Sequence, residues 1–487
     1  MGAHKKVLQT FTLPWLLLLC FLLFTILSWI LVFRDPRAII GIGNLYPDLK
    51  TWLFSTQTHL SHYGLNSIPT ILFAIISLVA IVAYIRSLAE EISLKKTILF
   101  ALFFQIIIFS SYPILSTDIF SYIFSERVST THHQNIWQVK PAAFPNDQFG
   151  VLADWKDTTS VYGGVHYLLY IIPSLLGGND LLALVILYKV IPALFAVGSL
   201  SLCYLLLRSE KKELTAKRLR LVFWNPLFVL EIIGSGHNDS IMIFFMLLGI
   251  YLYRKNLWLL SGIILALAVQ VKLIPLVLFF FLAATLVRKK AFIPSGLFLA
   301  GFLSINALIF SFMQVNLLTF LQRVAYNGGV YWQSLQALSQ TFFPIGSKLI
   351  FGAFLVWLFF FIFRQWQKKT DPISSYVIVI FVYLLFVSAA YWNWYVLWTL
   401  PMLPFVTKRK IFLSLLILTF TSLLAYPLLW VIYRINNHSP LWPVITYLFI
   451  FGLPILTYLF TQFREKWMNS LLKRWNLDIL IAEKAYF

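Results

Sequence analysis

Charge is scarce in this sequence. Only 11% of the 487 residues are Asp, Glu, Lys or Arg, less than half of the ~25% usual in soluble domains. Acid is scarcer than base, with 18 Asp and Glu against 38 Lys and Arg, a net +20. Cysteine is nearly absent. Cys20 and Cys203 both fall inside apolar runs, which excludes a disulfide framework and a thiolate metal site. No Pro- or Ser-rich linker interrupts the chain, no soluble domain is appended, and no internal repeat of the transporter kind is visible. Hydrophobic residues are what is abundant: 60% of the chain, with 18% aromatic and a mean hydropathy of +0.83. Repeated apolar runs near the length that crosses ~30 Å of hydrocarbon predict an all-α, polytopic transmembrane bundle. In a soluble protein the excess of base would suggest nucleic acid. Here it sits in short loops between apolar runs, so the expected partner is the lipid bilayer and not nucleic acid.

The runs predict about fourteen spans, over 11–33, 67–85, 97–115, 181–207, 219–233, 240–253, 257–271, 273–287, 291–312, 347–364, 373–391, 394–406, 411–432 and 443–463. The break at Lys272 and Pro275 leaves 257–287 open between two spans and a re-entrant pair. The first run follows Lys5 and Lys6, exceeds a signal-peptide core and lacks a small-residue cleavage site, so it reads as a retained anchor. An even span count puts both termini on one side. With the termini inside, 27 of the 38 basic residues and 8 of the 18 acids face in, giving +19 inside and +1 outside. That asymmetry predicts cytoplasmic termini in a plasma (cell) membrane. The 161–176 stretch then reads as a helix along the outer interface, with Tyr162, Tyr167 and Tyr170 in the interfacial layer. The whole chain, 1–487, is one integral-membrane domain. Residues 1–96 supply two extra N-terminal spans. Residues 97–406 form a core with outer loops 116–180 and 313–346, and 407–487 hold the C-terminal spans and a cytoplasmic tail. The other long outer loop, 34–66, carries Trp52, His59 and His62.

The polar outliers gather on the outer face. Asp118 stands where a hydrocarbon span meets water and opens the largest polar loop, and a carboxylate there is costly unless it is wetted, paired or working. Glu231 lies within an apolar run and either pairs with a lysine or serves the site. Lys189 and Lys272 either snorkel to headgroups or bind something. Gly236-His237-Asn238-Asp239 precedes an apolar run, so Asn238 or Asp239 is placed to cap a helix whose N-terminus attracts anions. That helix end, with Lys272 and Arg323, makes a candidate cradle for a lipid phosphate, and Asp118 a candidate base beside it. His132-His133 reads as a wetted loop pair without ligand spacing, and neither a metal site nor a cofactor is expected.

Several segments resemble membrane glycosyltransferases of the GT-C fold, and most closely the polyprenyl-phosphate-mannose-dependent α-mannosyltransferases. They are Asp118-Ile119-Phe120-Ser121-Tyr122, the loop with Pro141 and Pro145, Val161-Tyr162-Gly163, Gly236-His237-Asn238-Asp239, Val271-Lys272-Leu273-Ile274-Pro275 and Trp394-Tyr395-Val396-Leu397-Trp398-Thr399-Leu400-Pro401. Their order and sidedness match over about three-quarters of the chain. The resemblance implies a catalytic Asp at Asp118 and a polyprenyl-phosphate sugar donor. With a β-linked donor and direct displacement the product is inverted at the sugar, and the expected acceptor is a glycan or glycolipid. The residues themselves place Lys272, Arg323, His237 and Asn238 at the donor phosphate, and Tyr122, Arg127, Tyr162, His166 and Asp239 in acceptor or loop support. One departure stands out. Where the family commonly has Pro after Tyr-Gly, this chain has Gly164, expected to loosen the entry to the interfacial helix, and His166 replaces an aromatic. A lipid-linked-sugar flippase and a polysaccharide polymerase or ligase are the other readings. The first is opposed by the missing repeat and the second by the single arginine, Arg323, of the 313–346 loop.

Overall fold

The computed structural model describes residues 2–32, 68–113, 115–150, 152–326, 333–368, 370–435, 441–463, 470 and 480–481. The chain is helical, and no sheet forms among the described residues. In chain order the helices are α1 (Gly2–Val32), α2 (Ile68–Ala89), α3 (Leu94–Phe109), α4 (Asp118–Thr130), α5 (Gly164–Gly177), α6 (Leu181–Leu207), α7 (Lys212–Phe223), α8 (Asp239–Arg254), α9 (Trp258–Val269) and α10 (Pro275–Arg288). They continue with α11 (Phe292–Met313), α12 (Leu317–Tyr326), α13 (Leu335–Phe342), α14 (Pro344–Lys368), α15 (Pro372–Val382), α16 (Arg409–Ile435) and α17 (Leu441–Phe463).

Seven of these are long and apolar enough to cross a membrane: α1, α2, α6, α11, α14, α16 and α17. The short apolar segments explain the distance from fourteen. The expected spans 219–233 and 240–253 meet in a broken element, Pro226–Gly234 and Asp239–Arg254, bent by 114°. Counting it as one span makes eight. Expected spans 257–271 and 273–287 are the short helices α9 and α10, separated at Lys272 and Pro275. The expected span 394–406 is instead two 3₁₀ segments, Asn393–Trp398 and Leu400–Phe405, because Pro401 and Pro404 remove the amides an α-helix would need there. Its side chains, apart from the half-buried Tyr395, are nonetheless buried, so its apolar sequence reflects packing within the protein. The 34–66 loop lies outside the described residues.

Two charged groups, Lys189 and Arg220, are inside the bundle. Lys189 does not snorkel: it is 1% exposed and donates to the Ser111 carbonyl at 2.6 Å. Arg220 of α7 is fully buried, donating to the Ile92 and Glu90 carbonyls and to Thr97. It ties the α2–α3 connection to α7.

Candidate functional site

The site is assembled where three chain breaks meet. The first is the start of α4. Pro113 precedes it, Ser116 Oγ accepts the Asp118 amide at 3.1 Å, and Thr117, at the N-cap position, makes no side-chain cap. Asp118 is the first helical residue, yet its carboxylate does not cap. It accepts from Trp155 Nε1 at 3.3 Å and from the Tyr122 hydroxyl, one turn on, at 3.4 Å.

The second break is the bend before α8. Asn225 caps a short turn at Pro226, a π-turn follows over Val229–Gly234, and Gly236 then takes φ +73. A Cβ there would meet Ile119 Cδ1 at 2.9 Å and Lys189 Cγ at 3.3 Å, so glycine is needed for both the dihedral and the fit. The bend points His237 and Asp239 back toward Asp118. His237 Nε2 lies 3.3 Å from Glu231 Oε2, and its Nδ1 lies 3.8 Å from Asp118 Oδ2 and 4.0 Å from Asp239 Oδ2. Its ring stacks on Trp394 at 4.1 Å. Tyr426 donates to the other oxygen of Glu231. Glu231 therefore pairs with a histidine and a tyrosine, not with a lysine.

The third break lies between α9 and α10. Lys272 Nζ binds Asp239 Oδ1 at 2.7 Å, and Trp398 Nε1 donates to the same oxygen at 2.6 Å. The ammonium also stands 5.8–6.0 Å from the ring centres of Trp398, Tyr162 and Tyr395, the range of cation–π attraction. Lys272 is thus held by partners and does not snorkel. Neither Asn238 nor Asp239 caps α8: Asn238 makes no cap bond and is buried facing Tyr162, while Asp239 is committed to Lys272 and Trp398.

Exposure sorts this cluster into two layers. Glu231, His237 and Asp239 have fully buried side chains, whereas Asp118 and Lys272 are 13% and 14% exposed. A carboxylate and an ammonium, close enough to feel each other's charge, therefore each keep a partly accessible face next to a buried partner. Burial pushes the Asp118 carboxyl above the ordinary carboxylate range. His237, Lys272 and the Trp155 hydrogen bond pull it back, and Asp239 adds to the rise. A carboxylate so raised is a stronger base at neutral pH than an ordinary one.

The remaining expected residues divide. Tyr122 and Tyr162 line the cluster, their rings edge to face at 5.3 Å. His166 is behind it, 1% exposed, stacked on Tyr162 at 4.4 Å and 3.5 Å from Glu126 Oε1. It packs within the loop rather than opening onto the cluster. Burial pushes its ring down to about 3, and pushes Glu126 well above the carboxylate range. Gly164 does not loosen the entry to α5. A Cβ on Gly164 would meet Ile309 at 2.6 Å and one on Gly163 would meet the Gln270 carbonyl at 2.4 Å, so the glycines let this turn pack against α9 and α11. Arg127 is not in the cluster. Its Nε binds both oxygens of Asp147, at 3.2 and 3.0 Å, and another nitrogen binds the Gly178 carbonyl at 2.9 Å and Asn179 at 3.0 Å. The Arg323 side chain lies outside the described residues. Trp155, Trp398 and Trp394 are the residues added to the site. The dense Trp394–Trp398 run signalled two of them; nothing local to Trp155 in the sequence did.

Asp118, His237, Asp239 and Lys272 all fall within the stretch recognised by a family model, whereas Arg323 and Trp398 lie beyond it. No curated protein and no solved structure matches the chain. With residues 40–288 matching the alpha-(1→6)-mannopyranosyltransferase N-terminal domain, the chain belongs to that family of membrane mannosyltransferases.

Proposed function

We propose that this mannosyltransferase takes mannose from a polyprenyl phosphate and places it, with inversion, on a hydroxyl of a glycan or glycolipid on the extracytoplasmic face. The observation that carries this reading is a pair of partly accessible charges against a buried network, Asp118 and Lys272 beside His237, Glu231 and Asp239. The acceptor oxygen attacks the anomeric carbon as the bond from that carbon to the phosphate oxygen breaks. The acceptor proton passes to Asp118, and the phosphate leaves with its negative charge facing Lys272. Arg323, from the second outer loop, is the other cation assigned to that phosphate. His237 stands behind Asp118, 3.8 Å from its carboxylate, next to Glu231 and stacked on Trp394, and acts as a positioning residue. The cluster is fixed before substrate arrives, which lowers the cost of aligning donor and acceptor.

The test uses membranes carrying the protein, supplied with radiolabelled polyprenyl-phosphate mannose and no nucleotide sugar. Label should pass to an α-mannoside acceptor and stop with Asp118→Asn. Transfer that needs a nucleotide sugar, or that survives the substitution, refutes the reading.

A further inference from the structure

A second cavity, of about 520 Å³, opens in the outer loop on Arg127, Thr131, His132, Phe144, Asn146 and Asp147. Arg127 follows Asp118 by nine residues, two and a half turns and about 14 Å along α4. The cavity therefore opens on the opposite side of α4 from the Asp118 cluster and is not part of it.

Its floor is built and electrically closed. Asp147 takes Arg127 Nε through both oxygens and His132 Nε2 at 2.9 Å, while Arg127 Nη1 is committed to Gly178 and Asn179. Both partners of the central ion pair are nearly inaccessible, at 5% and 1%. His132 lies flat on Phe144, with ring centres 3.8 Å apart and planes 6° apart, which fixes the aromatic wall. Around this floor stand the exposed side chains of Asn146, Gln148, Asn179 and Thr131, next to the carbon faces of Phe144 and Pro145. Gln148 is turned onto the Asn179 carbonyl at 3.2 Å.

Each feature narrows the ligand. A phosphate could not reach the cation here, because Arg127 is only 5% exposed and lies against the Asp147 carboxylate, whereas Lys272 keeps an accessible face. A lipid tail would strip water from the amides without replacing it. Amides and a hydroxyl beside a fixed aromatic wall suit a neutral, hydroxyl-rich molecule, and the volume lies within the range of small-ligand sites. We infer that this cavity is a saccharide-binding subsite, remote from the reacting centre, which holds a distal part of the acceptor glycan. The subsite rests on the acceptor being a glycan, as proposed above, and not on the identity of the base.

The test is titration calorimetry on the full chain in lipid nanodiscs, with α-(1→6)-linked mannotetraose and no donor. The wild type and Asp118→Asn should bind it equally. The Asn146→Ala/Gln148→Ala variant, altered only at exposed side chains, should bind at least ten-fold more weakly, and Asn146→Asp should also weaken it. Inorganic phosphate should neither bind nor compete. Unchanged affinity in the double variant, no binding by the wild type, or competition by phosphate would each overturn the subsite. Normal turnover by Asp118→Asn would sink the catalytic reading while leaving this one standing, so the two failures are distinguishable.

Discussion

Replacing Asp118 with asparagine separates chemistry from architecture more cleanly than any other change. The side chain keeps its shape and keeps an oxygen for Trp155 Nε1. What it loses is the negative charge facing His237 and Lys272 and the capacity to accept a proton. Loss of a general base typically costs about 10²–10⁴-fold, or roughly 3–5 kcal/mol of transition-state stabilisation. The fold should not suffer. Asp118 makes no helix cap, so no cap is removed. Its carboxyl is raised in the folded protein, so the associated stability is present at low pH and lost as pH climbs through that raised value. A neutral amide should therefore leave the thermal midpoint at pH 7 unchanged or higher. The assay is label transfer under single-turnover conditions, with the thermal midpoint measured on the same preparation. In the wild type, turnover should fall with acid as Asp118 takes up a proton, on a limb above the ordinary carboxylate range. Asp118→Glu should also fail by about 10²-fold, since α4 fixes the backbone and the longer carboxylate overshoots its Trp155 and Tyr122 donors. Near-normal turnover by Asp118→Asn at normal expression would refute the reasoning. Glu126, fully buried, could not then substitute as base, which would leave the exposed Asp154.

Lys272→Ala should raise the donor KM roughly ten- to 150-fold, the equivalent of about 1.5–3 kcal/mol for a hydrogen bond to a charged group. It also strips the buried Asp239 of its cation, a change able to cost about 3–5 kcal/mol of stability. Lys272→Met/Asp239→Asn should recover the thermal midpoint without recovering donor use; recovery of both would make Lys272 a brace only. Arg323→Lys should restore donor use only in part, because an ammonium cannot bind phosphate in two places. Glu126→Gln should raise the thermal midpoint at pH 7 more than at pH 4.5, since burial holds Glu126 above the carboxylate range and its stabilising effect is lost as pH rises. His166 has the opposite sign. Pushed down to about 3, it costs stability as pH falls below ~6.5, and His166→Phe should flatten that loss. An impermeant thiol reagent on whole cells should label Asn146→Cys and spare Lys212→Cys; the reverse pattern would put the Asp118 cluster on the cytoplasmic side.

Sequence pattern conveyed the bundle and the two acidic and basic ends of the site, and it did so for a physical reason. Asp118 and Lys272 are legible because a charge in an apolar context is rare, and rarity needs no partner to be seen. The span count was less legible. Hydropathy measures removal from water, and 394–406, apart from the half-buried Tyr395, is removed from water by packing within the protein. The same limit hides the partners. Glu231 and His237 are six residues apart, a separation that would set them on different faces of an unbroken helix. The π-turn and the positive φ of Gly236 fold the segment back so that they meet at 3.3 Å. Lys272 reads in sequence as a free cation beside a helix start, yet Asp239, 33 residues earlier, has taken it up. A buried carboxylate and a largely covered lysine are each costly alone and become tolerable as a pair. If Lys272 serves the donor phosphate, it does so while already neutralised by Asp239. An ammonium has three N–H donors, and Asp239 and the aromatic cage leave its outer face 14% exposed. The incoming phosphate then meets a cation whose position is fixed and whose net charge is nearly cancelled. Such a site favours release of the lipid phosphate after transfer over tight retention, a property of the pair that neither residue carries by itself.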